Sequence, residues 1–211
     1  MPDKLLHYRR LTGTITCETG LRIGGSVEDI EIGGMENPII RHPITEEPYI
    51  PGSSLKGKVR SLLEQTHGRV TSRGEPCGCG ECMICRVFGP HKNPRHKLGP
   101  TRILVRDAGL TTDSRQRLET AREDKSIFYA EVKTENIVNR LTGAAEHPRT
   151  VERVPAGTEF DFEIGVRIFE RDDEAEIMSL VEEGLSLLEQ DYLGSSGSRG
   201  YGKVKLAYEV S

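Results

Sequence analysis

Apolar and polar residues alternate in three stretches of the chain, and each stretch predicts a half-buried strand. Leu11, Gly13, Ile15 and Cys17 mark the first, and Phe160, Phe162, Ile164, Val166 and Ile168 the most regular. Val204, Leu206, Tyr208 and Val210 mark the third. The run Arg102-Ile103-Leu104-Val105-Arg106 reads as a short buried strand. Two other stretches carry helical spacing. Leu55, Val59, Leu62 and Leu63 fall at i, i+4, i+7 and i+8 behind Pro51-Gly52, with Ser53 or Ser54 as the expected cap. Ile177, Leu180, Val181, Gly184, Leu185 and Leu188 follow the same rule behind an acid-rich first turn that suits the helix dipole.

Between these elements lie three long pieces, residues 22–50, 66–100 and 107–157. Segments of that size in a compact domain are usually functional or carry small structures of their own. With them set aside, the order that remains is close to βαββαβ, an α+β fold of the ferredoxin-like or RRM-like kind. Neither an internal repeat nor a linker divides the chain, so residues 1–211 are expected to form one decorated domain.

Composition narrows the range of functions. Hydrophobic residues make up 35% of the chain and aromatics 5%, with no Trp, which predicts an aliphatic core. It also argues against base stacking as the main mode of any nucleic-acid contact. No segment approaches the roughly 18 apolar residues of a membrane span, and the expected location is the cytoplasm. The net charge of −4 disfavours a polyanion partner, but it is unevenly spread. From Glu170 to Asp191 there are nine acids and one base, whereas from Arg86 to Arg106 there are six Arg or Lys and no acid. A ligand responds to the local field rather than to the mean, so the basic run stays a candidate for a polyanion.

Four of the five cysteines fall within nine residues, as Cys77-Gly-Cys79-Gly-Glu-Cys82-Met-Ile-Cys85. Thiols at this spacing suit one tetrahedral zinc, and the glycines allow the turns that aim neighbouring sulfurs inward. Disulfides are disfavoured in a reducing cytoplasm. Four thiolates leave no open position for a water, so the expected role is structural, pinning an insertion too polar to fold unaided. His67 competes with Cys77 as the fourth ligand in this reading.

Two further segments suit phosphate. Pro51-Gly-Ser-Ser-Leu-Lys56-Gly-Lys58-Val-Arg60 places basic residues at a helix N-terminus, with Lys56 and Arg60 on one face and Lys58 on another. Gly194-Ser-Ser-Gly197-Ser-Arg199-Gly200-Tyr-Gly202 allows close backbone approach and offers Arg199 as a phosphate grip. Neither is a Walker A loop.

Taken in order, Gly20-Leu-Arg-Ile-Gly-Gly-Ser26, Ile32-Gly-Gly-Met-Glu-Asn-Pro38, Pro43-Ile44, Ile50 through Arg60, Cys85-Arg-Val-Phe-Gly89 and Gly194 through Lys203 extend over almost the whole chain. This series resembles the Csm-type backbone subunit of type III-A CRISPR interference complexes, in the RAMP superfamily. The resemblance implies a ferredoxin-like palm, a zinc-bearing insertion and a thumb-like β-hairpin, here within about residues 125–158. It also implies a subunit that binds guide RNA and stacks head to tail with copies of itself beside other subunits of the complex. Such a subunit cuts target RNA every six nucleotides with a loop acid and a divalent metal such as Mg2+.

Carried onto this chain, the resemblance assigns the cutting role to Glu36, where the family most often has Asp. That departure leaves an active subunit and a binding-only one both open. Guide contacts are expected at Arg22, Ser53, Ser54, Lys56, Lys58, Arg60, Arg140 and Arg199. In the thumb, Glu131 and Glu135 are marked as functional candidates, and Arg149 and Arg153 as backbone contacts. A standalone precursor-RNA endonuclease is the other enzymatic reading. It would rely on His for acid–base work, and the six histidines here fall outside any matching motif. A zinc-dependent DNA-binding regulator would need a recognition helix after Cys85, where Gly89, Pro90, Pro94, Gly99 and Pro100 forbid one.

Overall fold

The computed structural model describes residues 3–24, 38–125 and 129–211. The elements run β1 (Leu5–Cys17), α1 (Gly52–Thr66), α2 (Met83–Phe88), β2 (Ile103–Val105), β3 (Gly109–Leu110), α3 (Thr112–Lys125), β4 (Glu131–Val138), β5 (Ala145–Arg153), β6 (Glu159–Phe169), α4 (Glu174–Gln190) and β7 (Val204–Val210). One antiparallel sheet has the order β2-β6-β1-β7, with β3 added along β6. Together with α1 and α4 this is the expected ferredoxin-like core.

The alternating strands bury one face. Leu11, Ile15, Phe160, Ile164, Val166 and Val204 meet Leu55, Val59, Leu63, Ile177, Val181 and Leu185 from the two helices. At fully buried positions of this kind, each Leu, Ile or Val contributes on the order of 1.5–3 kcal/mol. The helices approach closely because α4 has a glycine at the crossing. A Cβ on Gly184 would lie 2.5 Å from Val59 Cγ1.

The start of α1 differs from expectation. Neither Ser53 nor Ser54 caps it. Pro51 holds the cap position without a side-chain bond, and the Gly52 N–H donates to Asp107 Oδ1 at 2.7 Å. The capping acceptor thus comes from the β2–β3 connection. The contact also requires glycine, since a Cβ on Gly52 would lie 2.4 Å from the Val105 carbonyl oxygen. β1 begins at Leu5, earlier than the alternation indicates, because most of Leu5–Arg10 is exposed and carries no burial pattern. α2 and α3 were also not legible. α2 is a single short helix ending at Gly89, and among the described side chains of α3 the only buried apolar one is Leu118.

The acidic and basic blocks meet inside the protein. Arg102 is fully buried and forms a two-pronged pair with Asp172, Nε to Oδ2 at 2.8 Å and Nη2 to Oδ1 at 2.8 Å. Arg86 adds Nη1 to Oδ1 at 3.1 Å, and the Phe169 N–H donates to Oδ2 at 3.0 Å. Arg102 Nη1 also donates to the Leu98 and Pro100 carbonyls at 2.7 and 2.5 Å. The basic run is therefore not a uniformly open face. Arg86 and Arg102 are engaged by Asp172, and Lys92 pairs with Glu75, while Arg95, Lys97 and Arg106 form no ion pair among the described residues.

Burial works to raise the Asp172 pKa, but the Arg102 guanidinium and the Phe169 N–H hold it below the ordinary carboxylate value. Its stabilising contribution is therefore fully present above the unfolded pKa of about 3.9 and is lost as pH falls through the lower folded value. Asp172→Asn is expected to cost about 3–5 kcal/mol in urea denaturation at pH 7, because it leaves two arginines without their shared carboxylate. The deficit relative to the native chain is expected to narrow below about pH 4, as the unfolded carboxyl takes up a proton, and to close as pH passes the lower folded value.

Candidate nucleic-acid interface and metal centre

The glycine-rich segment lies directly before β7 and folds around the segment that follows β1. The Leu193 N–H donates to Gly202 O at 2.8 Å, and the Gly202 N–H to Gly20 O at 3.0 Å. The Ser195 N–H donates to Arg22 O at 2.9 Å, and Arg22 Nη1 to Ser195 Oγ at 3.0 Å. Gly194 at φ 78° and Gly202 at φ 71° make the turn, and a Cβ on Gly194 would lie 2.2 Å from the Arg22 carbonyl oxygen. Arg22 and the loop carrying Arg199, 177 positions apart in sequence, are thereby brought into one surface.

The β4–β5 hairpin stands off the sheet and docks on this loop. Glu135 is the contact. Its carboxylate accepts from Tyr201 Oη at 2.7 Å, Arg199 Nη1 at 2.8 Å and Arg149 Nη2 at 3.1 Å. The buried Tyr201 ring has Lys133 Nζ 4.5 Å from its centroid and the Arg153 guanidinium carbon at 4.9 Å, distances that suit cation–π attraction. Arg153 also pairs with Glu131. The Arg153 side chain crosses directly over Gly20, where a Cβ would lie 2.4 Å from its Cδ and displace it. At the hairpin tip, Arg140 is exposed and folds back on the Val138 carbonyl. A shallow hollow lined by Asn136, Asn139, Arg140, Arg149 and Arg199 lies between the tip and the loop.

Glu131, Glu135, Arg149 and Arg153 are thus tied to one another within the free chain. Tyr201 escaped sequence reasoning as a site residue, although it stands between the two glycines of a Gly-Tyr-Gly triplet. Glu36 lies outside the described residues. The described chain resumes at Pro38, and the next residue, Ile39, donates its N–H to Glu152 Oε2 of β5 at 3.1 Å. Glu152 also pairs with Arg41 at 3.1 Å.

The basic residues of α1 divide between two faces. Lys58 Nζ meets Asp191 Oδ2 at 3.0 Å and lies 3.7 Å from the centroid of Tyr192, which packs beneath the glycine loop. Lys56 faces the other way, and burial, then Arg60 and Arg167, push its pKa down. Crowding of like charges of this kind is relieved by an anion. Arg60 pairs with Glu64, Nε to Oε1 at 2.7 Å. Ser53 is exposed and Ser54 half-buried in the first turn.

The four clustered cysteines converge. Their sulfurs lie within 4.8 Å of one another, with Cys77 to Cys82 at 4.0 Å and Cys79 to Cys85 at 3.8 Å. A tetrahedron with arms of about 2.3 Å has edges of about 3.8 Å, so the set fits one thiolate-bound ion with little adjustment. The Cys82 N–H points at Cys79 Sγ and the Cys85 N–H at Cys82 Sγ, both at 3.4 Å, orienting the sulfurs. Burial would raise the Cys79 pKa, but the N–H groups of Cys82 and Glu81 outweigh it and bring it down to about 6. Burial drives Cys85 strongly upward. His67 is not a member of the cluster; its Nε2 lies 3.1 Å from both Glu183 carboxylate oxygens.

A ferredoxin-like palm with a docked hairpin and a cysteine-bearing insertion defines a class. The family model described as the RAMP superfamily matches residues 14–205. The protein named CRISPR system Cms endoribonuclease Csm3 from Methanothermobacter thermautotrophicus is 50% identical over 207 residues, covering 92% of this chain and 82% of that one. Its namesake from Streptococcus thermophilus is 41% identical over 197 residues, covering 92% and 85%. Among solved structures, the Csm3–Csm4 subcomplex of the type III-A CRISPR-Cas interference complex is similar, with a TM-score of 0.63 and 34% identity over 98% of this chain and 80% of that one. The chain belongs to the Csm3 family of the RAMP superfamily.

Because the Tyr201 hydroxyl, against opposing burial, and then the two arginines hold the Glu135 pKa below the ordinary carboxylate range, the latch persists at neutral pH. It is lost only as pH falls below about 4.3 through the folded value. Glu135→Ala is expected to speed amide exchange in residues 131–153 by about tenfold or more at pH 7. Exchange in β1 and β6 is expected to stay unchanged.

Proposed function

We propose that this chain is a guide-RNA-binding backbone subunit of a type III CRISPR interference complex. It stacks head to tail with copies of itself beside other subunits of the complex and cuts bound target RNA at six-nucleotide intervals. What carries the reading is the 50% identity, over 92% of the chain, to a protein named as a Csm3 endoribonuclease. The geometry supports it through one basic surface shared by Arg22, Arg199 and the hairpin that bears Arg140 and Arg149. Phosphate contacts by Arg22, Ser53, Ser54, Lys56, Lys58, Arg140 and Arg199 fix the position of the guide and leave its sequence to base pairing.

Glu36 is the carboxylate assigned to cutting, aiding in-line attack by the ribose 2′-hydroxyl on the adjacent phosphate. The leaving 5′-oxygen departs with a proton, and the product carries a 2′,3′-cyclic phosphate. Among the described residues no second carboxylate cluster could cage a hard cation. A divalent ion such as Mg2+ would be held by Glu36 together with RNA phosphate oxygens, as is usual for that ion, and would offset charge on the phosphate. The cysteine cluster is assigned to one structural zinc.

A second reading, binding without cutting, is favoured by Glu36 in the position where Asp is usual. In a reconstituted complex, Glu36→Ala is expected to abolish target cutting while leaving guide binding within about twofold. Undiminished cutting removes Glu36 from the mechanism. Greatly increased cutting by Glu36→Asp favours the second reading. Complex isolated from the native host is expected to carry discrete guide RNAs and about one zinc per chain. An RNA-free, metal-free monomer would overturn the proposal.

A further inference from the structure

Arg60 sits in the basic helix motif, yet its guanidinium is turned inward. Glu64 Oε1, on the next turn of α1, accepts from Arg60 Nε at 2.7 Å and from the Cys77 N–H at 2.9 Å. Arg60 Nη2 in turn donates to the Cys77 carbonyl at 2.7 Å. The same carbonyl receives the His91 N–H at 3.0 Å. The main chain of Cys77 is thus gripped at both its N–H and its C=O by one pair of side chains four residues apart. Glu64 is 5% exposed, so this carboxylate has been taken out of water. A buried ion pair is favoured by further hydrogen bonds to its partners, and here one cysteine main chain supplies one to each.

The other cysteines are oriented differently. Cys82 and Cys85 stand at the cap and in the first turn of α2, and the Cys82 N–H orients the Cys79 sulfur. Cys77 precedes all secondary structure in the insertion. Gly78 follows it with no room to spare, since a Cβ there would lie 2.3 Å from the His91 carbonyl oxygen. With that side closed, the Arg60–Glu64 pair supplies the registration of Cys77 against the core. Four thiolates on a divalent ion carry a net charge of −2, and a guanidinium hydrogen-bonded to the ligand's own carbonyl offsets part of it.

We propose that Arg60 and Glu64 form a clamp that positions Cys77 as a metal ligand, and that Arg60 belongs to the metal centre rather than to the guide contacts. This rests on the reading of the cysteine cluster as a zinc site. The test is competition for zinc between the full-length chain and a chromophoric chelator at pH 7, run on the native chain, Glu64→Gln, Arg60→Ala and Arg60→Lys. Binding of a homopolymeric single-stranded RNA is measured in parallel at saturating zinc.

Glu64→Gln is expected to weaken zinc binding roughly tenfold or more while leaving RNA affinity equal or higher, because it removes a negative charge beside Arg60. Arg60→Lys is expected to behave like Arg60→Ala toward zinc, since a single ammonium cannot donate to Glu64 and to the Cys77 carbonyl with the planar fork of arginine. Native zinc affinity in all three variants would overturn the clamp, and a salt slope of RNA binding reduced by about one in Arg60→Ala would return Arg60 to the guide contacts. If the native chain itself binds no zinc, the metal reading fails instead.

Discussion

The carboxylate of Asp172 is the point on which the accessory parts of this protein are hung. It lies in the turn between β6 and α4, so it is fixed by the sheet and by a helix of the palm. From there it holds Arg102 at the entrance to β2 and Arg86 within α2. Those two arginines bracket most of the basic run. A polar segment with few buried apolar residues has little means of finding one position on a core. Here two guanidiniums on one desolvated acid, with all the hydrogen bonds such burial demands, join the buried Ile84, Val87 and Phe88 in setting that position.

From that anchor the functional parts form two groups around α1. On one side the helix reaches the cysteine cluster through Arg60 and Glu64. On the other it reaches the glycine loop through Lys58, Asp191 and Tyr192. The loop then carries Arg22 and the thumb hairpin, the latter through Tyr201 and Glu135. Because Gly184 lets α4 close against Val59 and Leu63, α1 cannot shift without disturbing the core between the two helices. The surface bearing Arg22 and Arg199 and the cysteine cluster are thereby held in fixed relation by a shared helix.

How much of this was legible in the sequence depended on the range of each interaction. The palm strands and its two helices could be read because burial imposes a period on neighbouring residues, as at Phe160 to Ile168 and Leu55 to Leu63. The cysteine cluster was equally plain, since its thiols lie close together along the chain. Contacts between distant residues were not. The cap of α1 comes from Asp107, 55 positions beyond Gly52, and overrides the serines beside it. Asp172 is one of nine acids between Glu170 and Asp191, with nothing local to single it out, and its burial follows only from the position of Arg102. α3 was invisible because a helix with a single buried leucine leaves no apolar stripe.

The hairpin is fastened in a way the palm is not. Among its strand residues only Val151 is buried, and what attaches it to the glycine loop is largely charge: Glu135 on Arg199 and the Tyr201 hydroxyl, with Lys133 and Arg153 against the face of Tyr201. Ions in solution weaken such contacts far more than they weaken aliphatic packing. One chain therefore contains two mechanical parts with different sensitivities, a body whose integrity is governed by heat and an arm whose attachment is governed by ionic strength. A polyanion entering between them presents the same kind of charge as Glu135, and would compete for the arm's arginines without touching the bonds that keep the body folded.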